Sequence, residues 1–383
     1  MIKCVKIKNF KSLTDVTINL DDLTVLIGRS GSGKTNFVDA LRFIRQYLMT
    51  RNLSFVPNSL GGWKRVVSAT ALRPTNISFE ITFSVDGING DFIYYVDLKQ
   101  TAQGPHEDFQ LAGESLSLGS EVLFQSQAGK WVKPPNIVTA SQPTGELTLA
   151  SLSGIQEVAI AYVYLTEGLG CYDFPSTVLQ KAEQGQSKGL GDNGINYLEA
   201  FAAIEGNLQA LRNWREIIES TRSLIPSIKS LETNKPSRNG VIVSHEINGK
   251  ALVMDLSQES EGLRRFLAQM IALYQSPPKQ TLLFEEPEKG IHPGALATLA
   301  EQFKACPKSG RGQVILTTHS PELLDLFNVE NIRVVERSNY ETKIGPVTTE
   351  QMQAVKESLL STGELLTVDP ARLSSATTTE ARA

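Results

Sequence analysis

The chain has 383 residues, of which 41% are hydrophobic and 20% charged. That is enough apolar material for a substantial core in one large or two ordinary domains, so a disordered or fibrous chain is excluded. The formal net charge of −4 excludes a global basic footprint, so any nucleic-acid contact must rest on a local patch or on a partner protein.

In chain order, "CVKIKNF" (4–10) and "VTINL" (16–20) read as short strands that lead into "LTVLIG" (23–28). The last is an apolar, β-branched run too short for a helix, which marks a buried strand. It opens onto "GRSGSGKTNF" (28–37), where Gly28, four residues, and then Gly33, Lys34 and Thr35 meet the P-loop spacing. Each position has a physical job. Backbone N–H groups of the Gly-rich loop converge on phosphate oxygens, the Lys34 ammonium reaches the terminal phosphates, and the Thr35 hydroxyl ligates Mg²⁺. Phe37, Leu41, Ile44 and Leu48 then recur at helical spacing, so the loop meets a helix N-terminus whose dipole favours phosphate. An ordinary Gly-rich turn does not need this strand and helix around it. The candidate ATP-binding residues here are Gly28, Arg29, Ser30, Gly31, Ser32, Gly33, Lys34, Thr35 and Asn36.

Beyond this helix, "NISFEITFSV" (76–85) and "DFIYYVDL" (91–98) alternate apolar and polar residues around "DGING", a hairpin signal. "EVLFQSQAGKWV" (121–132) reads as two further strand pieces with a turn at "QAG", and the Pro- and Ser-rich passage 133–144 as mobile loop. "AIAYVYL" (159–165) fits strand or helix, whereas 195–225 reads as helix broken at Gly206 and stopped near Pro226. The small polar residues after Asp369 read as a disordered tail.

The second half carries more chemistry. "TLLFEEPEKGIHP" (281–293) places a buried strand before Glu285 and Glu286, and adjacent carboxylates there suit a Mg²⁺-nucleotide site. Glu285 would orient the metal or its water, and Glu286 would polarise the attacking water; a solvated acidic turn is the competing reading. "QVILTTHSPELL" (313–324) is a second buried strand ending at His319, a candidate γ-phosphate contact, while Ser320 and Pro321 suit a helix cap for which His319 is a bystander. In "LSQESEGLRRFLAQMIALY" (256–274), Ser260 and Gly262 stand at a helix start and could present a hydroxyl and N–H groups to an anion.

Cys4, Cys171 and Cys306 lie far apart without a CxxC pair, which argues against a disulfide framework and fits a reducing cytoplasm. His106, His245, His292 and His319 have no metal-ligand spacing. No apolar run approaches membrane-spanning length. The expectation is a soluble cytoplasmic protein whose metal is nucleotide-bound Mg²⁺ and which has no membrane partner.

Together these motifs resemble the ABC-type ATPases of the RecF and SMC class, especially the compact prokaryotic branch with RecF and the ATPase halves of OLD-family nucleases. The matching residues are "IKNFKSL" (7–13), "GRSGSGKTNFVDAL" as Walker A, "SEGLRRF" (260–266) as signature, "LLFEEPEKGIHP" (282–293) as Walker B and "TTHSPELL" (317–324) as the switch region. "GDNGINYL" (191–198) also resembles a segment common in stand-alone members. The resemblance implies a mixed α/β ABC-type head over residues 1–366 with an antiparallel β-subdomain and a helical insertion. Its parts would be a P-loop part at 1–50, a β-rich part at 51–150, helices at 151–235, and signature, Walker B and switch at 236–366, before a disordered tail at 367–383.

It also implies a head-to-tail homodimer in which ATP lies between Walker A of one copy and Ser260 and Gly262 of the other. Two departures stand out: Glu285 replaces the usual Walker B aspartate, and the signature is divergent, so slow hydrolysis is expected. By analogy the cellular role is an ATP-switched sensor in prokaryotic anti-phage defence that controls a separately encoded effector such as a nuclease, because no nuclease-like acidic or His and Asn pattern follows "TTHS". One alternative is a RecF-like DNA-repair or maintenance ATPase that binds DNA directly through residues such as Arg42, Arg45, Arg51, Lys64 and Arg65. Another is a nucleotide-gated scaffold that does not hydrolyse ATP.

Overall fold

The computed structural model describes residues 1–51, 60–71, 75–102, 108–136, 147–152, 154–180, 189–206, 210–233 and 240–374. His106, part of the 133–144 passage and residues 375–383 of the expected tail lie outside them. The chain divides into two compact units. One comprises Met1–Leu169, Val329–Leu359 and Pro370–Ala383, and the other Gly170–Asn328 and Leu360–Asp369.

In the first unit, β1 (Ile2–Phe10) and β2 (Leu13–Asn19) form an antiparallel hairpin whose buried residues alternate, as a sheet with one covered face requires. β3 (Leu23–Ile27) is buried at all five positions, and α1 (Lys34–Thr50) follows the P-loop with Phe37, Leu41, Ile44 and Leu48 all buried. β4 (Asn76–Phe83), β5 (Phe92–Ala102), β6 (Asp108–Leu118), β7 (Glu121–Gln127) and β8 (Lys130–Lys133) join β1 and β2 in a seven-stranded antiparallel sheet ordered β2-β1-β4-β5-β6-β7-β8. The expected hairpins are its β4–β5 and β7–β8 pairs.

Phe10, Phe43 and Phe79 bind this sheet to α1, with ring centroids 5.5 to 5.6 Å apart. The ambiguous segment near residue 160 is helix α2 (Gln156–Thr166), which packs beside α1. Glu114 of β6 is buried, and its carboxylate accepts bonds from the Thr148 and Leu149 amides and from the Tyr94 hydroxyl. Burial pushes its carboxyl above the usual carboxylate range.

The second unit begins within β9 (Leu169–Tyr172), at Gly170, and continues through α3 (Tyr197–Glu205) and α4 (Leu211–Leu224). β10 (Ile228–Thr233), β11 (Val241–Ile247) and β12 (Lys250–Asp255) form a three-stranded antiparallel sheet. α5 (Glu261–Tyr274), β13 (Thr281–Glu285), α6 (Pro293–Lys308) and β14 (Gln313–Thr317) follow, with β13 and β14 parallel. Phe284 packs on Phe303 at 4.9 Å and on Tyr172 at 5.4 Å. The chain then returns to the first unit as β15 (Ile332–Ser338), β16 (Glu341–Pro346) and α7 (Thr349–Lys356); β15 runs parallel to β3 and antiparallel to β16.

Residues 370–374, placed in the disordered tail by composition, are ordered instead. Leu373 bridges Val347, and the amides of Arg372 and Ser374 bond Gln351 Oε1 and Pro346 O at 2.9 and 3.0 Å. Backbone pairing of this kind outweighs small-residue composition. Among the described residues no helix is long and apolar enough to cross a membrane.

Candidate functional site

The P-loop leaves β3 where its burial ends. Gly28 has φ 153° and Gly33 φ 113°, and a Cβ would lie 2.1 Å from the Val335 carbonyl oxygen at the first and 2.3 Å from Thr342 Oγ1 at the second. Only glycine fits either place. Lys34 opens α1 and is 5% exposed, with its ammonium donating to Gly28 O at 2.8 Å and Arg29 O at 3.3 Å. The loop thus curls around its own cation. Ser32 Oγ is buried inside the curl with no protein partner, whereas Thr35 is exposed.

The Asn36 side chain is tied into the support of the loop. Its amide donates to Ser12 Oγ at 2.7 Å, Ser12 Oγ lies 2.6 Å from Thr342 Oγ1, and Thr342 Oγ1 donates to Ser32 O at 2.8 Å. This chain runs from α1 through the β1–β2 turn and β16 back to the loop, and the Thr342 amide closes it on Ser12 O at 2.7 Å. It holds the loop open as a rigid curl. An open cleft of about 430 Å³ adjoins it, lined by Ser12 and Asn36 together with Lys11, Lys64, Arg65, Arg337 and Tyr340.

In the second unit the acid pair stands at the end of β13. Glu285 pairs in register with Thr317 of β14. Glu286 adopts φ 46°, the left-handed region, while its amide donates to both Thr317 O and Thr317 Oγ1 at 3.1 Å. A non-glycine residue there costs on the order of 1–3 kcal/mol, so the surrounding bonds hold Glu286 in place. Its carboxylate lies 2.9 Å from Lys289 Nζ and 3.6 Å from His319 Nε2, and the Lys289 bond holds that ammonium above its ordinary range.

Glu288 fastens the switch strand: its Oε1 accepts from Thr318 Oγ1 at 2.7 Å and from the His319 amide at 2.9 Å, while its Oε2 is buried without a protein partner. Ser320 caps Pro321–Leu324 by accepting from Leu323 N at 3.0 Å. The helix-cap reading therefore holds, and His319 still meets Glu286.

Ser260 is the N-cap of α5, its hydroxyl accepting from Leu263 N at 3.2 Å. A Cβ on Gly262 would sit 2.9 Å from Gly290 O, so a side chain there would push the helix off the acid turn. Arg264 folds back and donates to the carbonyls of Ser257 and Glu259, and Arg265 pairs with Glu261 at 2.9 Å. Both arginines brace the start of α5.

A family model described as an AAA ATPase domain matches residues 1–92, and an AAA domain model whose description names the AbiEii toxin and a Type IV TA system matches residues 172–325. The Old nuclease of Escherichia phage P2 is 23% identical over 369 residues, covering 88% of this chain, and the chain spans 59% of that relative's length. An Smc head bound to the C-winged helix domain of ScpA superposes with TM-score 0.58 at 15% identity, covering 92% of this chain and 99% of that one. An Smc head with an extended coiled coil bound to the C-terminal domain of ScpA, from Pyrococcus furiosus, gives 0.57 at 14% identity, covering 94% and 99%. The chain has the fold of an SMC head. Two AAA ATPase models match separate parts of it, and it is similar to the Old nuclease over most of its length.

The glycine-rich loop lies in the first unit, and the acid pair, His319 and Ser260 lie in the second. Within the second unit Glu286 meets His319, and Gly262 packs on the turn that follows the acids. The buried, unpartnered Ser32 hydroxyl and a curl that only glycine can form fit a chain of phosphates. Among the described residues no group of three or more His, Cys, Asp or Glu is placed to hold a metal unaided. Thr35 in the first unit and Glu285 in the second each offer a hard oxygen donor of the kind that Mg²⁺ takes.

Motif reading did not find Thr342 or Glu288. Thr342 lies some 300 residues from the loop it supports, and Glu288 was hidden by the more conspicuous pair beside it. Of the basic residues considered for DNA, Arg42 pairs with Asp39, Arg45 bonds Leu169 O and Arg51 bonds Ala150 O, whereas Lys64 and Arg65 face the open cleft. Replacing Thr342 with Val keeps the side chain's shape but breaks its bonds to Ser32 and Ser12. We expect nucleotide affinity to fall roughly tenfold by titration calorimetry, the loss of one to two buried bonds, with the fold retained.

Proposed function

We propose that this chain binds ATP with Mg²⁺, hydrolyses it slowly, and uses ATP to join two copies head to tail in the cytoplasm. The observation that carries the reading is the P-loop curl, because its glycine-only conformations, buried Lys34 and orphaned Ser32 hydroxyl fit a chain of phosphates. Gly28, Arg29, Ser30, Gly31, Ser32 and Gly33 would surround the phosphates, while Lys34 would move its ammonium from the loop carbonyls onto them. Asn36 would act by bracing the loop.

Thr35 and Glu285 would hold Mg²⁺, which supplies charge neutralisation at the phosphates when bound. Glu286, fixed by its strained backbone, would orient and polarise water, with His319 beside it as the γ-phosphate contact. Ser260 and Gly262 would offer a hydroxyl and helix-start N–H groups to the partner copy's nucleotide. The family model naming a toxin–antitoxin system and the nuclease relative support a role as sensor or regulator in anti-phage defence, acting on a separately encoded effector such as a nuclease. A second reading, a DNA-maintenance ATPase that contacts DNA itself, draws on the open cleft with Lys64, Arg65 and Arg337.

Glu286→Gln should lower the hydrolysis rate by at least roughly a hundredfold while ATP binding survives and an ATP-dependent dimer accumulates in light scattering. A wild-type rate in that variant would return the acid pair to a solvated turn. Ser260→Arg should leave ATP binding by the protomer intact and abolish the dimer; loss of ATP binding in a folded protomer would remove Ser260 from its assigned place. If the DNA-maintenance reading holds, affinity for duplex DNA falls steeply with ionic strength, and charge reversal at Lys64 and Arg65 flattens that dependence. Salt-independent binding, or none, counts against it.

A further inference from the structure

We infer that His245 is a positioning residue for the signature serine, acting through Glu259. The inference rests on the ATP-joined dimer proposed above and extends it to a part of the fold with no assigned role. β11 alternates buried and less buried residues, and its inward positions are Val241, Val243 and His245. An imidazole in the place of a third valine is costly unless both its nitrogens are bonded.

Both are bonded here. Nδ1 lies 3.0 Å from Ser227 Oγ, next to the start of β10, and Nε2 lies 2.7 Å from Glu259 Oε1. The neutral ring protonated on Nε2 donates to Glu259 and accepts from the Ser227 hydroxyl, and the protonated ring donates to both. The brace thus survives either charge state.

What it braces is the residue before Ser260. Glu259 follows the 3₁₀ turn Leu256–Gln258, where Asp255 and Gln258 form a capping box, and its carbonyl accepts from the Arg264 guanidinium. Its side chain is therefore held by the three-stranded sheet and its backbone by the signature helix. The direction in which Ser260 leaves that turn is set by both. Arg264 and the cap bond to Leu263 N belong to the signature segment itself, whereas His245 lies on a separate strand. Through it the β10–β12 sheet reaches the surface that would meet the partner copy.

The test compares His245→Ala, Glu259→Ala, Glu259→Gln and the double alanine variant with wild type. It measures dimer formation by light scattering with a slowly hydrolysed ATP analogue, and nucleotide affinity of the dilute protomer by calorimetry. Losing one charge-assisted bond should raise the concentration needed for dimerisation roughly ten- to hundredfold in both single alanine variants. Protomer affinity for nucleotide should be unchanged. Glu259→Gln, which keeps an acceptor for Nε2, should dimerise as wild type does. The double variant should be no worse than either single one, because both remove one interaction.

Wild-type dimerisation in Glu259→Ala would overturn the inference, as would nucleotide affinity falling in step with dimerisation. If His245→Ala does not fold, the Glu259→Ala and Glu259→Gln pair decides the matter. A wild-type protein that binds nucleotide but never dimerises would overturn the proposed dimer and this inference with it; failure of the variants alone would overturn only this inference.

Discussion

A strand buried on both faces can carry a charged or reactive group only where it ends, because a charge within it would be stripped of water without a partner. β3, β13 and β14 are buried almost throughout, and each releases its chemistry at its carboxyl end: the glycine loop after Ile27, the acids at Glu285 and Glu286, and Thr317 to His319. In open α/β sheets, carboxyl ends of strands are where ligands collect. Each functional group then needs a local device to hold it there. For the loop the device is a hydroxyl chain through Ser12 and Thr342; for Glu286 it is a doubly bonded amide; for His319 it is the Glu288 carboxylate.

These devices divide the labour between side chains that would touch a ligand and side chains that keep them in place. Asn36 shows how neighbouring residues can differ. It sits in the middle of the Walker A stretch, yet its amide is spent on Ser12, while Thr35 beside it is exposed. At the start of α5, Arg264 and Arg265 likewise look like anion-binding residues and instead brace the helix. Position in a motif specifies neighbourhood. Hydrogen-bond partners specify role.

Much of the fold could be read from residue order. The alternating pattern of β4 and β5, the continuous apolar runs of β3, β13 and β14, and the helical spacing after Lys34 each express a single dominant burial pattern. The β10–β12 sheet was harder to see because β12 is largely exposed along its length and shows no covered face. The β15–β16 hairpin was hidden for a different reason. Its turn residues Asn339 and Tyr340 take φ 49° and 65° without glycine, so the usual hairpin signal is missing. Motif spacing located the glycine loop and the acid pair, but contacts between residues far apart in sequence, such as Ser32 with Thr342 or His245 with Glu259, leave no local trace.

The left-handed backbone at Glu286 has an implication for protein engineering. Glycine or asparagine would occupy that conformation at lower cost, so under the hydrolytic role proposed for Glu286, heat tolerance and turnover pull in opposite directions at this one residue. A library selected only for survival at high temperature would drift toward folded proteins that have discarded the acid. Thermal robustness is therefore a misleading proxy for fitness at this position.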